Sequence, residues 1–122
     1  INDDTISQLK CAVVAGGANN QLKDEKVHGE ALKARNIIYA PDYVINAGGL
    51  INVCSEIENW GREQVKRKVE GIYDTLIKIY DTAKTHNILS VEASNKIAEE
   101  RIAAVRHIHG SFMGVPNIRG GN

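Results

Sequence analysis

Hydrophobic and polar positions alternate in two different ways along this chain. In the first half, two short unbroken apolar runs, residues 11–15 and 37–40, each give way to a loop of Gly, Asn or Pro. Continuous runs of this length, with β-branched residues inside them, predict strands buried on both faces of a parallel sheet. Between them lies a polar segment, residues 24–35, that offers Val27, Ala31 and Leu32 to a core and has Asn36 where a helix C-cap would stand. Ahead of the first run, Asn2-Asp3-Asp4 reads as an N-cap with acids in the first turn of a short helix that ends near Lys10. The order helix, strand, helix, strand, helix predicts an α/β fold with helices packed on a parallel sheet. Two strands are too few for a stable sheet, so further strands are expected upstream and the chain, which opens on Ile1, is expected to be a fragment.

In the second half the period changes. A helix is expected from Leu50 to a break near Trp60-Gly61. From Arg62, the positions Val65, Val69, Ile72, Leu76, Ile79 and Ala83 recur at spacings of four and three, which predicts one long amphipathic helix ending near His86-Asn87. Ser90 resembles an N-cap with Glu92 in the first turn, and Ala93, Ile97, Ala98, Ile102 and Val105 mark the inner side of a last helix. From Gly110 no period survives, and a loosely ordered tail is expected. The division expected is 1–59 for the α/β part, 60–109 for closing helices of the same domain, and 110–122 for the tail.

Composition narrows the function classes. With 15 Lys+Arg against 15 Asp+Glu, nothing points to a nucleic-acid or anionic-membrane surface. No apolar run approaches the roughly 20 residues of a membrane span, and no N-terminal signal segment is visible. Cys11 and Cys54 form no C-x-x-C pair and read as reduced thiols of a cytosolic protein.

Candidate chemistry gathers where the two apolar runs end. Gly16-Gly17-Ala18-Asn19-Asn20 closes the first; glycine lets backbone approach a ligand, and amides donate and accept without adding charge. The plainer reading is a tight left-handed turn. Asn46-Ala47-Gly48-Gly49 carries the same signal after the second run, and both strand ends would face one crevice. Leu50 and Val53, three apart on the helix that follows, are either core or the apolar wall of a pocket. Asp42 after Pro41 reads as a turn former that holds backbone N–H groups, with acid–base work as the alternative. His107 and His109 lack a third ligand for a metal, and His28 and His86 lie in polar settings where solvation is expected. Neither strand-end loop contains a lysine or a GxGxxG phosphate cradle.

These motifs, taken together, carry a resemblance. Val13-Val14-Ala15-Gly16-Gly17-Ala18-Asn19-Asn20-Gln21-Leu22, then His28-Gly29, then the run from Tyr39 through Pro41-Asp42-Tyr43-Val44-Ile45-Asn46-Ala47-Gly48-Gly49-Leu50-Ile51-Asn52-Val53, resemble the leucine dehydrogenase branch of the glutamate/leucine/phenylalanine/valine dehydrogenase superfamily. The resemblance continues through Ile72-Tyr73-Asp74-Thr75 and Ala98-Glu99-Glu100-Arg101-Ile102. It implies the second half of a Rossmann-type NAD-binding domain followed by C-terminal helices. It also implies reversible NAD-dependent deamination of an L-amino acid to its 2-oxo acid and ammonia. By the same resemblance, Ala18, Asn19, Asn20, Asn46, Gly48 and Gly49 border the cofactor, and Asn20, Leu50 and Val53 border the substrate. Catalytic residues are expected in an N-terminal domain, not in this chain, and the parent protein is expected to be a cytoplasmic homo-oligomer. A phenylalanine or valine dehydrogenase, or a non-catalytic nucleotide-binding module, stays open as an alternative.

Overall fold

The computed structural model describes the backbone of residues 1–112 and the side chains of residues 1–106. The chain opens on α1 (Asp3–Ile6), where Asn2 and Thr5 exchange side-chain and backbone hydrogen bonds in a capping box. This helix is shorter than the sequence pattern predicts, ending at Ile6, the residue it buries. β1 (Val13–Val14) and β2 (Ile38–Tyr39) pair in parallel, with Val13 opposite Ile38 and Val14 opposite Tyr39. The ladder is extended by Ile38 N–H to the Ala12 carbonyl and Ala40 N–H to the Val14 carbonyl, both at 2.9 Å.

The two strands are joined by α2 (Glu25–Ala34), capped at its start by the Asp24 carboxylate, which accepts the Val27 N–H. It ends as expected, with Asn36 in the left-handed region at φ 56° just past the cap residue Arg35. This right-sized crossover is what allows β1 and β2 to run parallel. Leu32, Ile37, Val14, Tyr39, Leu22, Ile6 and Val91 form the core that α2 closes over one face of the sheet.

Among the described residues nothing covers the other sheet face. Val13 and Ile38, side by side in the register, are each about half exposed, 50% and 51%, so the expectation of strands buried on both faces is corrected. The same correction applies to Val27, Val69, Ile102 and Val105, read as inward-facing but exposed in the fold. Their apolar period is real, yet none of the described residues buries them.

After β2 comes α3 (Asp42–Ile45), a single turn the sequence pattern does not predict. α4 (Ala47–Ile57) follows at once, starting three residues before the expected Leu50, because Asn46 closes α3 and opens α4. Asn59, at φ 52°, turns the chain into α5 (Arg62–His86), the long helix read from its period. Asn87 ends it in the left-handed conformation, φ 53°, and its side chain and carbonyl both accept from the Lys33 ammonium, at 2.9 and 3.0 Å.

The last element is α6 (Ser90–Phe112). Ser90 is its first helical residue, not its N-cap: the Glu92 carboxylate instead accepts the Leu89 N–H at 2.9 Å, and the Ser90 hydroxyl donates to the Tyr39 carbonyl at 2.8 Å. That bond covers the outer edge of β2, a polar edge that would otherwise be open to strand addition. The tail expected from Gly110 is helical as far as Phe112, where α6 ends, and the rest of that expectation lies outside the described residues. No helix among the described residues is long and apolar enough to cross a membrane.

Candidate functional site at the strand ends

Both strands are followed by turns at the same edge of the sheet, since they run parallel and in register. Beyond β1, Gly17, Ala18, Asn19 and Asn20 are all exposed. Asn20 adopts a left-handed backbone, φ 52°, a conformation that Asn tolerates better than most residues. The turn is anchored immediately afterwards. Leu22 is buried in the core, Gln21 N–H donates to Asp42 Oδ2 at 3.1 Å, and Lys23 N–H donates to the Ile1 carbonyl at 2.9 Å. The Gln21 side-chain amide packs against Gly16, where a Cβ would overlap it.

Beyond β2, Ala40, Pro41 and Asp42 are all buried, so the chain leaves the sheet through a fixed point. Asp42 is only 6% exposed, and its second oxygen accepts the Tyr43 N–H at 2.8 Å. The turn-forming role read from the Pro-Asp pair therefore describes its geometry: both oxygens face backbone donors. Asn46 N–H donates to the Asp42 carbonyl at 2.9 Å, while the Asn46 side chain caps neither helix. Its Nδ2 is buried with no protein partner among the described residues, an unmet donor at the mouth of the turn.

Gly48 and Gly49 lie in the first turns of α4 with ordinary negative φ. A Cβ added to either would meet nothing within 4 Å. Neither backbone conformation nor packing within this chain calls for glycine there, although glycine inside a helix costs about 1 kcal/mol relative to alanine. The space beside them is open among the described residues. Leu50 and Val53 are 67% and 52% exposed, so neither is packed in the core of the described residues. Ile57, missed by the sequence reading, continues the same face at 72% exposure. Its spacing of four after Val53 was the available signal.

Three tyrosines have raised phenol pKa values, two of them, Tyr39 and Tyr43, beside these elements. Burial, and then the negative charge of Asp42, pushes the Tyr39 phenol up to about 12. Burial also raises Tyr43, whose hydroxyl donates to Asn95 Oδ1 at 3.3 Å, and Tyr80. His28 is not solvated as expected. It is 3% exposed, with Nδ1 accepting the Asp24 N–H at 2.9 Å and Nε2 facing the Asp3 carboxylate at 3.5 Å. Its role is to cap the start of α2, and the Asp24-to-His28 spacing of one helical turn was the missed signal. His86 is exposed, near the Lys96 ammonium at 3.3 Å, while the side chains of His107 and His109 lie outside the described residues. Among the described residues no cluster of three or more His, Cys, Asp or Glu has a metal-binding arrangement. Cys11 is exposed and Cys54 partly so, and both are free thiols.

The arrangement offers neutral amides, backbone donors and an apolar helix face around a shared edge. A hollow of about 400 Å³, lined by residues that include Gly29, Ile38, Tyr80 and Ile88, lies elsewhere, between β2 and the turn joining α5 to α6.

Comparison with known proteins identifies the lineage. Residues 1–110 match the family model described as Glutamate/Leucine/Phenylalanine/Valine dehydrogenase. Leucine dehydrogenase of Thermoactinomyces intermedius is 53% identical over 113 residues, covering 93% of this chain and 31% of the relative. Phenylalanine dehydrogenase of the same organism is 45% identical over 108 residues, 88% of this chain and 29% of the relative. The crystal structure of L-tryptophan dehydrogenase from Nostoc punctiforme superimposes with a TM-score of 0.83 at 42% identity, over 87% of this chain and 32% of that one. The chain thus spans about a third of the length of the relatives it matches. From its motifs, its fold and these matches, this chain belongs to the glutamate/leucine/phenylalanine/valine dehydrogenase family.

Proposed function

We propose that this chain is the second half of a Rossmann-type NAD-binding domain, with its closing helices, in a cytoplasmic NAD-dependent amino-acid dehydrogenase. The reaction is reversible oxidative deamination of a branched-chain L-amino acid, leucine first, to its 2-oxo acid and ammonia. The observation that carries this reading is the space left open at the head of α4. Among the described residues, Gly48 and Gly49 have no neighbour to avoid, Asn46 Nδ2 has no acceptor, and Leu50 and Val53 have no cover. A planar carboxamide set against an apolar side-chain pocket would use all three features.

The residues fit such a cofactor. Asn46 would hold the nicotinamide carboxamide by donation from Nδ2, and Gly48 and Gly49 would let that end of the molecule approach the α4 backbone. Ala18, Asn19 and Asn20 border the nicotinamide ribose, and Asn20 also reaches the substrate. Leu50 and Val53 wall the pocket for the side chain. When bound, NAD accepts the hydride that leaves the substrate α-carbon. Neutral amides orient it without adding charge beside the ring, and fixed orientation accounts for much of the rate that such a site supplies. By the family resemblance the general acid and base are expected in an N-terminal catalytic domain, and the engagement of both Asp42 oxygens by backbone N–H groups is consistent with a structural role for that carboxylate. That domain and further copies of the protein are the expected partners.

The test is a substrate panel on the complete polypeptide that carries this segment, following NADH absorbance with leucine, isoleucine, valine, phenylalanine and glutamate. The expected order places the branched aliphatic substrates first. Asn20→Gly keeps the left-handed backbone and removes only the amide, so it separates chemistry from strain. It is expected to lower kcat/KM on leucine by at least about tenfold, the scale of one oriented polar contact. No NAD-linked turnover of any amino acid would refute the reading, and highest kcat/KM on phenylalanine would move it to the aromatic branch.

A further inference from the structure

We propose that Asp42 is a positioning residue that ties the two strand-end turns into one unit and sets the orientation of Asn20. The inference rests on the function proposed above. Asp42 is bonded to both turns by different atoms. Its carboxylate Oδ2 accepts the N–H of Gln21, 21 positions earlier, at 3.1 Å. Its main-chain carbonyl accepts the N–H of Asn46 at 2.9 Å. The second carboxylate oxygen accepts the Tyr43 N–H at 2.8 Å, which fixes the side-chain rotamer.

The Gln21 N–H lies in the peptide plane that joins Asn20 to Gln21. Holding that N–H holds the plane, which fixes the rotation about the Cα–C bond of Asn20, a residue whose φ of 52° already places it in the left-handed region. The rest of the first turn is exposed from Gly17 to Asn20 and has no comparable anchor before Gln21. On its other side Asp42 cannot yield, because Ala40, Pro41 and Asp42 are all buried. A charge-assisted bond to a backbone N–H is roughly twice as strong as a neutral one, and at a buried position its loss leaves a donor unmet.

A carboxylate suits this place better than its amide. Aspartate presents acceptors to both Gln21 and Tyr43, whereas asparagine has one carbonyl oxygen and must turn an NH2 toward the other donor. Asp42→Asn therefore keeps size and shape while losing one of the two bonds.

The test is a double-mutant cycle in the complete polypeptide, pairing Asp42→Asn with Asn20→Gly. Asp42→Asn alone is expected to lower kcat on leucine by about 30-fold, between a lost hydrogen bond and the roughly hundredfold cost of a misplaced reacting group. In the Asn20→Gly background the same change is expected to cost less than about threefold, because coupled residues are not additive. A merely structural Asp42 would lower kcat by the same factor in both backgrounds, and that result would overturn the proposal, as would an unchanged kcat. Asp42→Ser, which is smaller and accepts one bond, replaces the asparagine variant if the latter does not fold. Residue-resolved amide hydrogen exchange on the 122-residue chain tests the clamp without any substitution. Gln21 N–H is expected to exchange more than about tenfold more slowly than the amides of Asn19 and Asn20. Equal exchange would overturn the clamp. A wild type inactive on every amino acid would instead defeat the proposed function, while the exchange result would still decide the clamp.

Discussion

Gly29 in the middle of α2 lies directly under Leu89 at the α5–α6 turn, and a Cβ built on it would come 3.0 Å from Leu89 Cδ1. Both residues are buried, so this is where the helix that crosses between the strands meets the helices that close the fold. Gly71, halfway along α5, is the opposite case: a Cβ there meets nothing within 4 Å. The two positions give opposite predictions for one substitution. Gly71→Ala gains about 1 kcal/mol of helix propensity at no packing cost. Gly29→Ala gains the same propensity but forces Leu89 aside, and overpacking costs about 1–3 kcal/mol. Chemical denaturation of the chain is expected to show stabilisation for the first and net destabilisation for the second.

A second prediction concerns the cap of the long helix. Asn87 holds a left-handed backbone and accepts from Lys33. Asn87→Ala meets the left-handed penalty of about 1–2 kcal/mol for a residue with a Cβ. The Lys33 contact is exposed, so its loss adds little. Asn87→Gly removes the same contact without the backbone penalty. Thermal melts are expected to place the glycine variant within about 2 °C of wild type and the alanine variant clearly lower. Equal midpoints for the two variants would assign the position to its lysine contact and not to its backbone.

Local pattern is what made so much of this fold legible. The run around Val14 and the run around Tyr39 announced parallel strands, and the four-three spacing from Val65 to Ala83 announced α5, because both signals depend on neighbours a few positions away. Val27, Val69, Ile102 and Val105 misled for the converse reason. Their spacing is that of an inward face, but none of the described residues buries them, and periodicity alone does not say what a face meets. Likewise Asn20 and Asn46 were readable as candidates from amides beside glycines. The Asp42 carboxylate that links their turns was not, because it joins positions 21 residues apart through a backbone N–H. His28 failed differently: a polar helix surrounds it in sequence, yet a local cap at Asp24 draws its ring inward.

Alkaline pH gives a third prediction. The Tyr39 phenol is pushed up to about 12 from an ordinary value near 10, first by burial and then by Asp42. In the unfolded chain that phenol loses its proton near pH 10, while in the folded chain it keeps it to about 12. The unfolded state therefore binds fewer protons across that interval, and stability falls as pH rises. The contribution is complete below pH 10 and reaches up to about 3 kcal/mol of loss by the time the folded group titrates. Tyr39→Phe has no proton to lose. Denaturation curves at pH 8 and pH 11 are expected to converge for the phenylalanine variant relative to wild type. An equal alkaline loss in both proteins would place the effect on other groups.

The outward face of α4 yields the last prediction, because the same exposure has two explanations. Leu50 and Ile57 are 67% and 72% exposed, and replacing either by alanine removes almost no burial within this chain. Both substitutions are accordingly expected to change the stability of the isolated chain by less than about 0.5 kcal/mol. In the complete polypeptide they separate. Leu50 stands two residues after the paired glycines, where the proposed pocket for the substrate side chain begins, while Ile57 lies two helical turns further on. Leu50→Ala enlarges that pocket and is expected to shift the ratio of kcat/KM for leucine over phenylalanine by about 10-fold or more toward phenylalanine. This is the scale of one to two lost methylene contacts. Ile57→Ala is expected to leave that ratio within about twofold and to lower the thermal midpoint of the complete polypeptide, as burying an aliphatic side chain contributes about 2 kcal/mol. A ratio that moves with Ile57 and not with Leu50 would put the substrate further along the helix. A ratio that moves with neither would remove α4 from the pocket altogether.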